Sequence, residues 1–88
     1  MLFRSRMRRA AVSALETEEK EIREKLIVLE EQRFMVQEMV NNAKGARRFE
    51  EMGALTRNLD ELDKEIATIK KQVSGVEERW EGLYAAGV

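Results

Sequence analysis

The chain has 88 residues, 16 basic and 17 acidic, with no Pro, Cys or His. One domain at most fits that length, and the missing Cys and His exclude disulfides, thiol nucleophiles, the usual zinc ligands and the commonest general base. A net charge of −1 gives no global attraction to nucleic acid, and no apolar run approaches the ~20 residues needed to span a bilayer.

Met1–Arg9 carries Arg4, Arg6, Arg8 and Arg9 and no acid. It reads either as a mitochondrial-type presequence or membrane-surface patch, or as a solvated helix start or the cut edge of a longer protein. The plainer reading is preferred, because the helical pattern runs on through Ala10-Ala11-Val12 without a processing site.

From Val12 the apolar residues take heptad spacing. Leu15, Ile22, Leu29, Val36 and Ala43 are each seven apart, and Val12, Leu26 and Val40 fall on the interleaved row, where Glu19 and Arg33 are polar faults. The other side of this helix is strongly charged, as a solvated face is. A second set of rows is uninterrupted: Met52, Leu59, Ile66, Val73 and Trp80 form one, and Leu55, Leu62, Ile69, Val76 and Leu83 the other.

The two seams do not share a phase. Continued by sevens, the first reaches Arg47, Glu50 and Ala54, whereas the second starts at Met52 and Leu55, a slip of five residues. Coiled coils absorb insertions of three or four, not five. The slip falls at Gly45, the residue placed to take left-handed backbone cheaply. Lys44 suits the end of a helix and Glu50-Glu51 the start of the next, although no Ser, Thr, Asp or Asn caps the second. The spacing therefore predicts an all-α fold, an antiparallel two-helix hairpin. Its expected bounds are helix one over about 10–43, a turn at 44–47, helix two over about 48–79 and a frayed tail at 80–88.

An 88-residue hairpin buries little core and must lean on something else. Val28, Met35 and Met39 lie beside the first seam, Ile27 and Phe34 lie nearly opposite it, and Phe49 adds to Met52 at the start of helix two. Two occupants suit this excess apolar surface: a second hairpin, giving a homodimeric four-helix bundle, or another protein. No enzyme is expected. The carboxylates sit on solvated faces without a pocket, a Glu-x-x-His di-metal site has no His, and Gly45 alone makes no phosphate loop. No cofactor or metal is expected.

The run from Met39 to Leu62, MVNNAKGARRFEEMGALTRNLDEL, is more specific than heptads require. The pattern is Met39-Val40, Asn41-Asn42, Ala43, a short basic Gly/Ala turn, Phe49-Glu50-Glu51, then Leu55, Asn58-Leu59 and Leu62. It resembles the Rab-binding helical hairpin of the rabenosyn family, and more closely that of its fungal homologues, the vacuolar segregation proteins that carry a FYVE finger. Upstream, Leu29-Glu30-Glu31-Gln32 and Phe34-Met35-Val36 also resemble the fungal version. The turn departs from the animal pattern, with its Gly two residues earlier.

The resemblance implies a Rab effector module that binds the GTP-loaded form of an early-endosomal Rab GTPase, in membrane tethering or fusion and in vacuolar or lysosomal sorting. It implies a cytoplasmic place peripheral to early endosomes, within a longer tether whose phosphoinositide-binding finger this chain lacks. It also implies contact residues near the tip: Val36, Met39, Val40, Ala43 and Lys44 on the first helix, and Arg48, Phe49, Met52, Leu55 and Leu59 on the second. Some of these must instead hold the helices together. The alternative is a self-associating coiled coil whose role is assembly. Neither reading involves nucleic acid or membrane insertion.

Overall fold

The computed structural model describes the backbone of residues 2–85 and the side chains of residues 9–85. The Met1–Arg9 readings fall largely outside the described side chains, and 86–88 of the expected tail lie outside the described residues. Two helices make the fold: α1, Leu2–Gly45, and α2, Phe49–Ala85. At about 1.5 Å rise per residue a 44-residue helix is about 66 Å long, and the molecule is a rod of 68 × 16 × 13 Å. The chain reverses between the helices and α2 packs back along α1. No helix among the described residues is long and apolar enough to cross a membrane.

The heptad rows are the packed seam. Every member of both apolar rows is buried or half-buried. Far from the turn, Leu15, Ile22 and Val76 form a buried cluster backed by Ile69, Val73, Trp80 and Leu83, and nearer the turn Ala43, Leu59, Leu62 and Ile66 are buried. The seam's two polar faults are paired. Arg33 Nε donates to Asp63 Oδ1 at 2.6 Å, and Trp80 Nε1 donates to Glu19 Oε2 at 2.6 Å. Arg79 to Glu18, also 2.6 Å, adds a third tie across the hairpin. These pairs are partly exposed and solvent-screened, so they fix register more than they stabilise.

The far end differs from its expected fraying, since α2 stays helical to Ala85. Gly75 and Gly82 each cost about 1 kcal/mol against Ala. The packing of Trp80 and Leu83 on the Leu15 cluster, with the indole held by Glu19, offsets that cost.

The turn also differs in detail. Gly45 is the last residue of α1, and the left-handed residue is Arg47, with φ 58°. The Arg48 N–H reaches the Ala43 carbonyl at 2.9 Å and the Arg47 N–H reaches the Lys44 carbonyl at 3.2 Å. That is the six-to-one and five-to-two pairing of a Schellman motif, which satisfies carbonyls that the end of α1 leaves open. The register of these bonds, not glycine's freedom, decides which residue turns left-handed. It is the position two residues after Gly45.

Candidate docking surface at the hairpin tip

The Schellman turn sets how the tip is built. It ends α1 at Gly45 and starts α2 at Phe49, after three intervening residues, so the last turns of α1 and the first turns of α2 lie side by side. The Arg48 carbonyl accepts the first α2 hydrogen bond, from the Met52 N–H at 3.0 Å. No side chain caps that end. Instead the Arg48 guanidinium pairs with Glu51 at 3.2 Å, and Glu50 and Glu51 occupy the first turn, where carboxylates complement the positive end of a helix.

The ten residues expected at the tip separate into three groups. Ala43, 2% exposed, and Leu59, 8% exposed, are buried between the helices. Val36, Val40, Met52 and Leu55 are half-buried seam residues whose edges reach the surface. Met39, Lys44, Arg48 and Phe49 are exposed, Met39 by 54% and Phe49 by 65%. The tip therefore presents two large apolar side chains in solvent, half-buried seam residues near them, and a charged rim of both signs, Lys44 and Arg48 with Glu50 and Glu51.

An exposed Phe or Met taken alone is ordinary on a protein surface. Here they are concentrated. Among the described residues Ile27, Val28, Phe34, Met35, Met39 and Phe49 are all more than half exposed and lie within the part of the rod nearer the turn, with Tyr84 exposed at the other end. Such a surface suits docking rather than chemistry. The open groove beside Val28, Leu29 and Ile69, about 760 Å³, is rimmed by both signs of charge and sits in mid-rod, away from the tip. Among the described residues no three of His, Cys, Asp and Glu are grouped to hold a metal ion. Far from the tip, the Trp80 hydrogen bond, and then Arg23, hold the Glu19 carboxyl below its ordinary range.

Two features of the molecule had weak signals in the sequence. The left-handed role of Arg47 shows only in the hydrogen-bond register of the turn. The Trp80–Glu19 bond was legible in principle, since a polar fault in one seam asks for a donor from the other.

Residues 28–69 match the family model described as the Rabenosyn Rab binding domain. The matched stretch spans the turn and contains Val28, Phe34, Met35, Met39 and Phe49. Among curated proteins, the chain is 39% identical over 56 residues to the vacuolar segregation protein PEP7 of Saccharomyces cerevisiae. That similarity covers 64% of this chain and only 11% of the yeast protein. No solved structure shows a significant match.

Proposed function

We propose that this hairpin is a Rab effector module. Its tip docks on the GTP-loaded form of an early-endosomal Rab GTPase, and it serves membrane tethering and sorting toward the vacuole or lysosome from a cytoplasmic position peripheral to the endosome. The observation that carries the reading is the coincidence of the rabenosyn-like stretch, 28–69, with the part of the rod that leaves Met39 and Phe49 in solvent. Similarity to a vacuolar segregation protein supports the sorting role.

The physical logic is that of a helix surface offering apolar anchors. Phe49 and Met39 supply the area that is desolvated on binding. Methionine adapts to the partner's shape, and Lys44 and Arg48 form a polar rim. Sensitivity to nucleotide arises on the partner, because the γ-phosphate orders the switch loops that the hairpin touches. The module itself takes no cofactor and performs no hydrolysis; it reads a state.

The test is a calorimetric titration of the 88-residue chain with early-endosomal Rab GTPases, each loaded in turn with a non-hydrolysable GTP analogue and with GDP. Selective binding of the GTP-analogue form is expected for at least one of them. Equal affinity for both nucleotide states, or no binding to any, removes the effector reading.

A further inference from the structure

The exposed residues of the tip, Met39, Lys44, Arg48 and Phe49, make a small footprint. A stable protein–protein contact covers about 800 Å² and about 20–30 residues on each partner. A GTPase seated at the tip must therefore extend down the rod, and the two helices offer it different ground. Among the described residues α2 exposes no large apolar side chain between Phe49 and Tyr84. α1 exposes Ile27, Val28, Phe34 and Met35, all within about 18 Å of Met39 along the helix axis. Apolar contact area continues down α1 and stops on α2.

These side chains stand on the side of α1 turned away from α2. Ile27 and Phe34 share one row of sevens, Val28 and Met35 share another, and neither is a seam row. Ile27, Phe34 and Met35 line a shallow pocket with Glu30 and Glu31 and no residue of α2. At about 100° per residue a third row runs between the two apolar ones: Glu24, Glu31 and Glu38, all exposed. Its members are two turns, about 10.5 Å, apart. No Lys or Arg falls on these three rows between Lys20 and the turn. Carboxylates set between two apolar rows specify what covers them. An apolar surface alone would desolvate Glu31 and Glu38 without compensation, and an acidic one would be repelled. The covering surface has to bring cations and apolar side chains together.

Resting on the effector reading, we propose that the GTPase lies along this outward strip of α1 as well as on the tip, and that it sets Lys or Arg side chains against Glu31 and Glu38 beside apolar residues that meet Phe34 and Met35. α2 takes part only through its first turns. The carboxylate row fixes the direction in which the GTPase lies on the rod, with its basic edge pointing away from the turn. Charges at the edge of a contact act mainly on association rate and on choice of partner. The row therefore selects, among GTPases with similar apolar patches, those with cations beside the patch.

Two charge-matched double variants of the 88-residue chain test this: Glu31→Lys with Glu38→Lys on α1, and Asp60→Lys with Glu61→Lys on α2. All four residues are exposed, and the Arg33–Asp63 bond places the two pairs at similar levels of the rod. Binding kinetics are followed with the GTP-analogue-loaded GTPase that the wild type binds, and helix content by circular dichroism. The α1 pair is expected to lower affinity at least about tenfold, mainly through slower association, and to flatten its salt dependence, while the α2 pair stays within about twofold of wild type. Should the reversals cost helix, Glu31→Gln with Glu38→Gln reads the same contact with a smaller loss. Phe34→Gln, which changes no charge, should speed dissociation. Equal losses in the α1 and α2 pairs overturn the proposal, because they reveal general charge attraction only. So does an α1 pair that binds like wild type; the effector reading survives that result if Phe49→Asp still loses affinity. A wild-type chain that binds no loaded GTPase removes both.

Discussion

Arg47 carries the strain of the molecule. A left-handed backbone costs an ordinary residue about 1–2 kcal/mol, and Arg47 has no glycine's exemption. Arg47→Gly is therefore expected to raise stability by roughly 1 kcal/mol, read as an upward shift of the urea midpoint at unchanged slope. A lower midpoint would mean the side chain holds the turn through contacts of its own. Glu19 offers a second test at this scale. Its carboxyl is held below the ordinary 4.5, first by the Trp80 hydrogen bond and then by Arg23. A depressed carboxyl stabilises the fold at pH values above its unfolded pKa, and that contribution disappears as pH falls through the depressed value. Thermal unfolding of the wild type should thus lose stability below about pH 4.5 more steeply than Trp80→Phe, whose indole donor is gone. Parallel acid limbs for the two proteins would show that the hydrogen bond does not form in solution.

Each helix has two kinds of apolar residue, and the structure separates them by burial. Leu59 sits in the seam, while Phe49, ten residues earlier on the same helix, stands in solvent. Leu59→Ala should cost about 2–5 kcal/mol of stability, because it removes packed methyl groups and leaves a gap. Phe49→Asp should leave the unfolding midpoint within about 0.5 kcal/mol of wild type. For the proposed binding to a GTP-loaded Rab the order is expected to reverse. Phe49→Asp is expected to lose at least about 2 kcal/mol of affinity as an anchor, whereas Leu59→Ala acts only through the fraction of chain left folded. Loss of stability in Phe49→Asp, with affinity intact, would exchange their roles. At this scale most of the fold was legible in advance. Heptad rows state which residues face inward, and a five-residue slip states that the rod must bend back. What heptads do not encode is the atom-level register of the turn. They also do not show that a tryptophan on one row would pair with the polar fault of the other and keep the last turns of α2 helical. Nor do they apportion the tip residues: Ala43 and Met39 both belong to an apolar pattern, but only coordinates show one buried and the other outside.

The whole rod divides labour along its length. The buried cluster at Leu15, Ile22 and Val76, with Trp80 and Leu83 against it, lies toward the end remote from the turn. The exposed apolar tip lies at the other end, within the rabenosyn-like stretch 28–69. Three of the cross-hairpin contacts, Glu19–Trp80, Glu18–Arg79 and Arg23–Glu77, also fall outside that stretch. The far half contributes little to the proposed docking surface, and its contacts are expected to add to the near half's own buried residues, Ala43, Leu59, Leu62 and Ile66, in holding the two helices of the tip in register. A fragment of residues 28–69 tests this division. It keeps every exposed tip residue and loses the far half's contacts, so by circular dichroism it should be much less helical than the full chain at equal residue concentration. Binding a GTP-loaded Rab would then have to order it, at a cost of roughly 2–5 kcal/mol drawn from the interaction energy. Weaker binding than that of the 88-residue chain is expected, accompanied by a gain of helix on saturation. A fragment already fully helical and equal in affinity would show that the tip folds without the far half, and that the length of the rod serves reach or assembly instead.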